Sequence, residues 1–361
     1  MKSDKISLKQ LMAMAYVGIL SPAIRLMPGI PASLAGRGAW LSVIAALVPT
    51  LLYIWMLGAF LKNRQDGEGL GELMQRSVGK TAAAIILTLV LLWLLFYTAF
   101  ILRVASTRML STVYKSGDVA VFAVVTLLAA VLVAAGSIRG LARTAEVSLT
   151  IIIMVLAAVI LLSLSDFKFE NVYPVTYLDL KDVALGAIPV VDVAIVLTYF
   201  LFLAGHVKKR PGETKTCLRW GAYITVTMFA IVFFTIGAMG AGLAGKLQNS
   251  FFVMLRNLVV LEMIERMEAI VIAVWVITDV LFLASLLVIV TELGMKLLHK
   301  ASRRLLLWIA AGITFVCALV MVPNAFVLNK LSEGVVPGIN MIVLLVLLPA
   351  VLIIGKLRKK I

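Results

Sequence analysis

The chain has 361 residues, of which 63% are hydrophobic and 14% are charged. Soluble domains average about 45–50% apolar and about 25% charged residues, so this composition excludes a water-soluble fold and indicates a membrane protein. The net charge of +15 does not indicate nucleic-acid binding, because the basic residues are dispersed between hydrophobic runs.

A membrane-spanning helix needs about 20 mainly apolar residues. The polar start MKSDKISLKQ is followed by a long apolar run without a small-residue cleavage site, which we interpret as a first membrane helix and not as a signal peptide. The third and eighth apolar runs exceed the required length and are expected to tilt or to project beyond the bilayer. Ten runs are predicted, at about residues 8–32, 39–61, 81–110, 118–137, 145–165, 183–206, 217–243, 266–295, 304–323 and 336–356.

The distribution of basic residues predicts the topology. With the N-terminus in the cytoplasm, 22 of the 33 Lys and Arg residues lie in cytoplasmic segments and eight, Arg108 among them, lie on the other side. The positive-inside rule therefore favours ten spans with both termini in the cytoplasm. We expect residues 1–361 to form a single transmembrane domain.

Three connections are expected to be more than turns. Residues 66–79 are predicted to form a short amphipathic cytoplasmic helix. Residues 166–182 form the longest external loop, whose aromatic residues suit a membrane interface. Residues 245–262 are typical of an external amphipathic segment that lies on the outer surface.

The first and sixth apolar runs are both interrupted by glycine and proline. The first contains Gly18, Ser21 and Pro22, and the sixth contains Gly186 and Pro189. Proline removes a backbone donor, and matched interruptions in two halves are typical of inverted-repeat transporters, whose unwound segments form the substrate site. The alternative is a pair of ordinary proline kinks. The predicted repeats cover about residues 8–165 and 183–356.

Ionisable residues at membrane depth are costly and usually mark a pathway or a paired contact. One interpretation is a buried ion pair, such as Arg103 with Glu268, that fixes helix packing. The other is that Arg25 or Arg103 meets a substrate carboxylate, while Asp192 or Asp279 carries a proton or meets an ammonium group.

The eighth run places Glu268, Trp275 and Asp279 on one helix face, because their spacings of seven and four residues follow the helical repeat. The expected ligand-binding residues are Gly18, Ser21, Pro22, Arg25, Arg103, Gly186, Pro189, Asp192, Glu268 and Trp275. The expected ion or proton carriers are Asp192, Glu268 and Asp279.

Several motifs are absent from the sequence. It has no GxxxxGK[ST] motif of an ATP-driven pump, and no GxSxG or HExxH motif of a hydrolase. Its two cysteines, Cys217 and Cys317, have no metal-binding spacing. We expect neither an enzyme nor a bound metal or cofactor.

Three segments of the sequence resemble the spore germination permease family. They are KISLKQLMAM at the start, AGRGAWLSV at 35–43 and ERMEAIVIAVWVITDV at 265–280. The family comprises the B subunits of endospore germinant receptors, within the amino acid–polyamine–organocation superfamily. From this resemblance, we expect the family's helix breaks at Ser21, Pro22, Gly186 and Pro189, and a functional role for Glu268.

This resemblance implies an all-α, leucine-transporter-like fold with a 5+5 inverted repeat and broken first and sixth helices. It implies that a small nutrient germinant, often an amino acid, binds among spans one, three, six and eight. It also implies assembly with an A subunit and a lipoprotein C subunit in the inner membrane of the spore.

Three functions remain open from the sequence. The first is a germinant-sensing subunit, and the second is a stand-alone proton-coupled amino-acid transporter on the same fold. The third is a scaffolding membrane subunit, in which the helix breaks and buried charges serve only packing.

Overall fold

The computed structural model describes residues 5–112, 116–258, 267–298, 301–358 and 360, and for residues 59, 60, 267 and 268 only the backbone. Over these ranges the regular structure is helical, apart from one β-bridge between Ile6 and Val207. The α-helices are α1 Leu8–Leu26, α2 Gly29–Ala35, α3 Ala39–Lys62, α4 Leu70–Val78, α5 Lys80–Thr112, α6 Val119–Ala135, α7 Ile138–Ser163, α8 Leu180–Ile195, α9 Glu213–Met239, α10 Ala241–Ala244, α11 Ser250–Arg256, α12 Met267–Leu297, α13 Arg303–Val320 and α14 Ala325–Leu357.

Two helices change their geometry along their length. The α8 helix continues as an eleven-residue 3₁₀ segment, Val196–His206, although such segments rarely exceed three or four residues. The α14 helix contains two π-helical turns, Leu331–Val335 and Ile342–Leu347, on either side of an α-helical stretch. π-Helical turns inside α-helices occur frequently at functional sites.

In the described part of the chain, eight helical stretches are long and apolar enough to cross a membrane. They contain α3, α5, α7, α8, α9, α12, α13 and α14. The apolar 17-residue α6 and the 19-residue α1 account for the other two predicted spans. The long third and eighth runs are confirmed, since α5 has 33 residues and α12 has 31.

The α1 helix lies at the centre of the bundle, which explains its polar residues. Its residues 11–24 are all buried, and it packs against α7, α9, α12 and the 3₁₀ segment. Large apolar side chains on the outer helices, such as Leu52 and Leu132, are exposed instead, as expected for surfaces that face lipid. A helix surrounded by protein does not need the uniform hydropathy of a lipid-facing one.

The changes in helix geometry lie beyond the prolines. Pro22 lies within α1, which ends at Leu26 and is followed by α2 after Met27 and Pro28. Pro189 lies within α8, and the change to 3₁₀ geometry comes only at Val196. A proline removes one backbone donor, and both helices continue past this single missing bond.

One end of the bundle, which carries Lys5, Lys62, Lys208 and Lys296, is called the basic end here. The N-terminal segment is held there by backbone hydrogen bonds from Ile6 N to His206 O at 2.9 Å and from Lys208 N to Ile6 O at 3.2 Å. The backbone at Ile6 thereby closes over the end of the 3₁₀ segment.

Ion pairs join the connections at the basic end. The predicted amphipathic helix at 66–79 is confirmed as α4, and Glu72 on it pairs with Lys296 of α12 at 2.7 Å. Lys5 donates a hydrogen bond to Asp66 at 3.1 Å, which lowers the pKa of this carboxyl. Because both partners of the Lys5 pair are well exposed, this contact contributes little to stability.

At the opposite end, residues 166–182 form short 3₁₀ turns with exposed aromatic side chains, including Phe169 and Tyr177. Within the predicted surface segment 245–262, the helix α11 covers only Ser250–Arg256, and five of its seven residues are buried. It packs in a second apolar cluster with Trp275, so it is more deeply seated than a helix on the outer surface. Residues 259–262 lie outside the described residues.

A close approach of α3 and α9 at Gly58 generates a prediction on stability. A Cβ at Gly58 would lie 2.8 Å from Thr214 Cγ2 and 3.0 Å from its Cα, whereas a Cβ at the exposed helical Gly312 would meet nothing within 4 Å. We expect Gly58→Leu to destabilise the protein by about 2 kcal/mol through overpacking. Gly312→Leu should be neutral or stabilising, because leucine favours a helix over glycine by about 1 kcal/mol.

Thermal unfolding of the purified full-length variants, followed by tryptophan fluorescence, measures the difference. Equal midpoints for the two leucine variants would contradict the close helix packing.

Candidate functional site

A buried ion pair connects three helices at the centre of the bundle. Arg108 of α5 donates from Nη2 to Asp279 Oδ2 of α12, and Ser21 of α1 donates from Oγ to Asp279 Oδ1. Arg108 Nη2 also lies 3.4 Å from Ser21 Oγ. All three residues are at most 5% exposed. The carboxylate of Asp279 is therefore neutralised within the protein.

The guanidinium of Arg108 also stacks on an aromatic cluster. Its Cζ lies 5.1 Å from the ring centroid of Trp275, and Trp275 packs against Phe252 with centroids 4.7 Å apart. A cation over a tryptophan face is stabilised by the ring quadrupole. Trp275 thus supports the ion pair from one side.

A small cavity of about 20 Å³ lies beside this ion pair. It has room for about one water molecule. Its walls come from α1, α5, α8 with its 3₁₀ continuation, and α14. The lining residues are Pro22, Arg25, Leu26, Tyr97, Phe100, Ile101, Asp192, Val193, Val196, Ser332, Val336, Pro337 and Asn340.

A basic and an acidic side chain, Arg25 and Asp192, line this cavity. In the described part of the chain, no side chain forms a hydrogen bond or ion pair with Arg25, and Asp192 Oδ1 is buried without a hydrogen-bond partner. Arg25 lies near Arg108, Asp279 and Tyr97, and Tyr97 interacts electrostatically with both Arg25 and Asp192. A buried carboxyl oxygen without a hydrogen-bond partner, such as that of Asp192, is costly, whereas Arg25 is only half-buried.

A hydrogen-bonded network lies on the side of the cavity nearer the basic end. Tyr199 donates its hydroxyl to Asn340 Oδ1 at 2.8 Å, and Trp93 Nε1 donates to Tyr199 at 2.8 Å and to Asn340 at 3.2 Å. Tyr53 donates to Leu344 O at 2.7 Å, within the second π-helical turn of α14. The network fixes Asn340, which lines the cavity, against α5 and the 3₁₀ segment.

A wider depression of about 350 Å³ lies on the other side of Arg25, toward the opposite end. Its polar lining includes Ser33, Lys246, Asn329 and Glu333. Arg25, Leu26 and Ser332 line both spaces and therefore lie between the small cavity and the depression.

The comparisons with known proteins identify the family. The model of the spore germination protein family matches residues 5–327. The chain belongs to this family. None of the curated proteins compared matches it. The family is of permease type, and its members, like this chain, are membrane proteins that cross the bilayer several times.

The fold resembles that of a solved transporter structure, MhsT in complex with L-phenylalanine. The two chains share 14% sequence identity with a TM-score of 0.68, over 99% of this chain and 90% of the other. The spore germination permease therefore has the predicted leucine-transporter-like fold.

The structure brings some of the predicted site residues together. Pro22, Arg25 and Asp192 line the cavity, and Ser21 and Asp279 form the ion-pair cluster beside it.

Gly18 and Gly186 lie at close contacts between helices. A Cβ at Gly18 would lie 2.7 Å from Phe282 Cδ2, and one at Gly186 would lie 2.5 Å from Ser42 Oγ. Neither glycine lines the cavity. These two positions permit close packing in this permease, which explains their small size without a ligand.

The remaining predicted residues lie away from the cavity. Arg103 donates to Pro323 O at 3.0 Å beside α14, and Pro189 is half-buried on α8. Trp275 contacts Arg108 and not the cavity. The side chain of Glu268 lies outside the described residues, so an Arg103–Glu268 pair stays a prediction.

Sequence reasoning missed Arg108, Tyr97 and Asn340. Arg108 was assigned to an external connection, but α5 continues to Thr112 and buries it at 5% exposure. The 30-residue length of the third apolar run was the available signal, because a helix of this length can keep its last residues buried against the rest of the protein. Asn340, an isolated amide in the apolar run 336–356, was a second signal.

The ion pair yields a stability prediction. Arg108→Leu leaves Asp279 buried without its cation and should cost about 3–5 kcal/mol. The double variant Arg108→Leu/Asp279→Leu should recover most of this loss, because apolar replacement of a buried pair is often nearly neutral.

Thermal midpoints of the wild type, both single variants and the double variant form the required cycle. Additive losses in the double variant would show that the two side chains are not coupled.

Proposed function

We propose that this permease is the membrane subunit of a spore germinant receptor and binds a small nutrient germinant, an amino acid, in the cavity between α1, α5, α8 and α14. The observation that carries the proposal is the pair of unpartnered opposite charges, Arg25 and Asp192, on one cavity. Membership of the spore germination protein family supports the receptor role.

The chemistry of the cavity suits a zwitterion. A ligand carboxylate would pair with Arg25, whose guanidinium presents a planar set of donors, and a ligand ammonium would pair with Asp192. Tyr97 and Asn340 offer further hydrogen bonds. The apolar wall, which includes Ile101, would face the ligand side chain.

Ligand entry requires the cavity walls to move, because about 20 Å³ is too small for an amino acid. The two π-helical turns of α14 flank the segment that carries Val336 and Asn340. In this proposal, the wall formed by α14 is the one that moves. A ligand that binds the expanded form better would shift the population toward it. We propose that the A subunit and the lipoprotein C subunit respond to that shift in the inner membrane of the spore.

The basic end supports an orientation for the subunit. By the positive-inside rule, this end and both termini would face the cytoplasm. The ligand would then approach from the outer side, through the depression above Arg25. In this proposal, the repeats at about 8–165 and 183–356 move relative to each other.

A proton-coupled amino-acid transporter is the second candidate. The observation that favours it is Asp192 Oδ1, a buried carboxylate oxygen without a hydrogen-bond partner, since Asp279 is already paired with Arg108. Asp192 would then carry the coupled proton. Uptake of a labelled amino acid by proteoliposomes that contain this chain alone separates a transporter from a receptor subunit.

The binding experiment compares amino acids with analogues that each lack one charge. We expect the wild type to bind free amino acids about 10- to 100-fold more tightly than their amides or N-acetyl derivatives, because a hydrogen bond to a charged group contributes about 1.5–3 kcal/mol. Arg25→Gln should abolish the preference over the amide only, and Asp192→Asn the preference over the N-acetyl derivative only.

Two exposed neighbours on α8 serve as matched controls. Lys181→Gln and Asp182→Asn make the same charge changes outside the cavity and should leave both preferences unchanged. Calorimetry on purified protein gives the affinities, and germination of spores with the full receptor, with subunit levels checked by immunoblot, gives the response. Unchanged analogue preferences in the stable cavity variants would refute this site.

A further inference from the structure

Another cavity, of about 790 Å³, lies at the basic end of the bundle and is separate from the proposed ligand site. It is formed where α3 ends and α9 begins. Its lining residues are Lys62, Lys209, Arg210, Pro211, Gly212, Glu213, Thr214 and Lys215.

The charge of this cavity is strongly positive. Four of its lining residues are cationic, and the single acid, Glu213, is buried in an ion pair with Arg64 at 2.8 Å. Glu213 Oε1 also accepts from Arg210 N at 3.1 Å. The carboxylate is therefore already satisfied and does not neutralise the cavity, which leaves a site for an anion.

The packing of the two helices defines the shape of the site. Thr214 touches Gly58 so closely that a Cβ there would lie 3.0 Å from the Thr214 backbone. Lys62 follows Gly58 by one helical turn, and Lys215 follows Thr214 directly. The contact thus closes one side of the cavity, and the two lysines lie on different helices beside it.

The surfaces next to the cavity point to the occupant. Trp55 lies seven residues before Lys62, and Val226 lies eleven residues after Lys215, and both spacings return to the same helix face. Trp55 is 57% exposed and Val226 is 63% exposed. The helix faces that carry the lysines are therefore the faces that contact lipid chains.

We propose that this cavity binds the phosphate-bearing headgroup of an anionic phospholipid. Ammonium and guanidinium groups form strong charge-assisted hydrogen bonds with phosphate oxygens, and basic pockets between membrane helices at the positive side suit anionic headgroups. The acyl chains would lie along Trp55 and Val226. The site is independent of the amino-acid cavity, because the two share no lining residue.

The test uses the purified full-length protein and native mass spectrometry with added phosphatidylglycerol or phosphatidylcholine. We expect the wild type to bind phosphatidylglycerol at least tenfold more tightly. Lys62→Gln/Lys215→Gln should weaken this binding roughly 25-fold, at about fivefold per basic residue. The control Lys9→Gln/Lys80→Gln removes two exposed charges from the same end and should change it less than twofold.

A second measurement uses tryptophan quenching, which needs no lysine substitution. Phosphatidylglycerol with brominated acyl chains should quench the wild type more than brominated phosphatidylcholine, and Trp55→Phe should remove this difference. Equal binding of the two lipids, equal losses in the two lysine variants, or a quenching difference that survives Trp55→Phe would overturn the proposal. Inorganic phosphate should compete only weakly, and full displacement of the lipid by millimolar phosphate would assign the site to free phosphate instead.

Discussion

The ion pair between Arg108 and Asp279 determines the electrostatics of the whole bundle centre. Ser21 joins it from α1, so a single carboxylate connects the first, third and eighth spans. A buried charge that loses its partner is strongly destabilising. Asp279 is already paired with Arg108, and within the described part of the chain no ion pair is formed by Arg25, which lines the same cavity as Asp192.

The high cost of polar groups in contact with lipid also explains the composition of the central helix, α1. A lipid-facing helix must be mainly apolar, but α1 is enclosed by other helices over residues 11–24 and therefore carries Ser21 away from hydrocarbon. Close packing around it depends on small residues, since Gly18 lies against the rings of Phe200 and Phe282. Close packing thus holds α1, which forms one wall of the cavity. The opposite wall is formed by α14, which contains the two π-helical turns.

Local sequence patterns predicted the spans but not the partners of the buried charges. Hydropathy depends on neighbours along the chain, so the eight stretches that are long and apolar enough to cross a membrane, the long α5 and the amphipathic α4 were predicted correctly. Ion pairing depends on which helices meet, and so Arg108 was placed in a connection and its pairing with Asp279 was missed. The prolines at 22 and 189 lie within α1 and α8, and both helices continue beyond them, to Leu26 and Ile195.

The arrangement of charges gives a physical basis for ligand selection. An anionic ligand would neutralise Arg25 and leave Asp192 buried with an added negative charge nearby, and a cationic ligand would do the reverse beside Arg25. A zwitterion satisfies both groups at once and adds no net charge to the low-dielectric centre. Selection for amino acids would therefore come from the cost of every other charge state, while the apolar wall around Ile101 and Val336 would discriminate among their side chains.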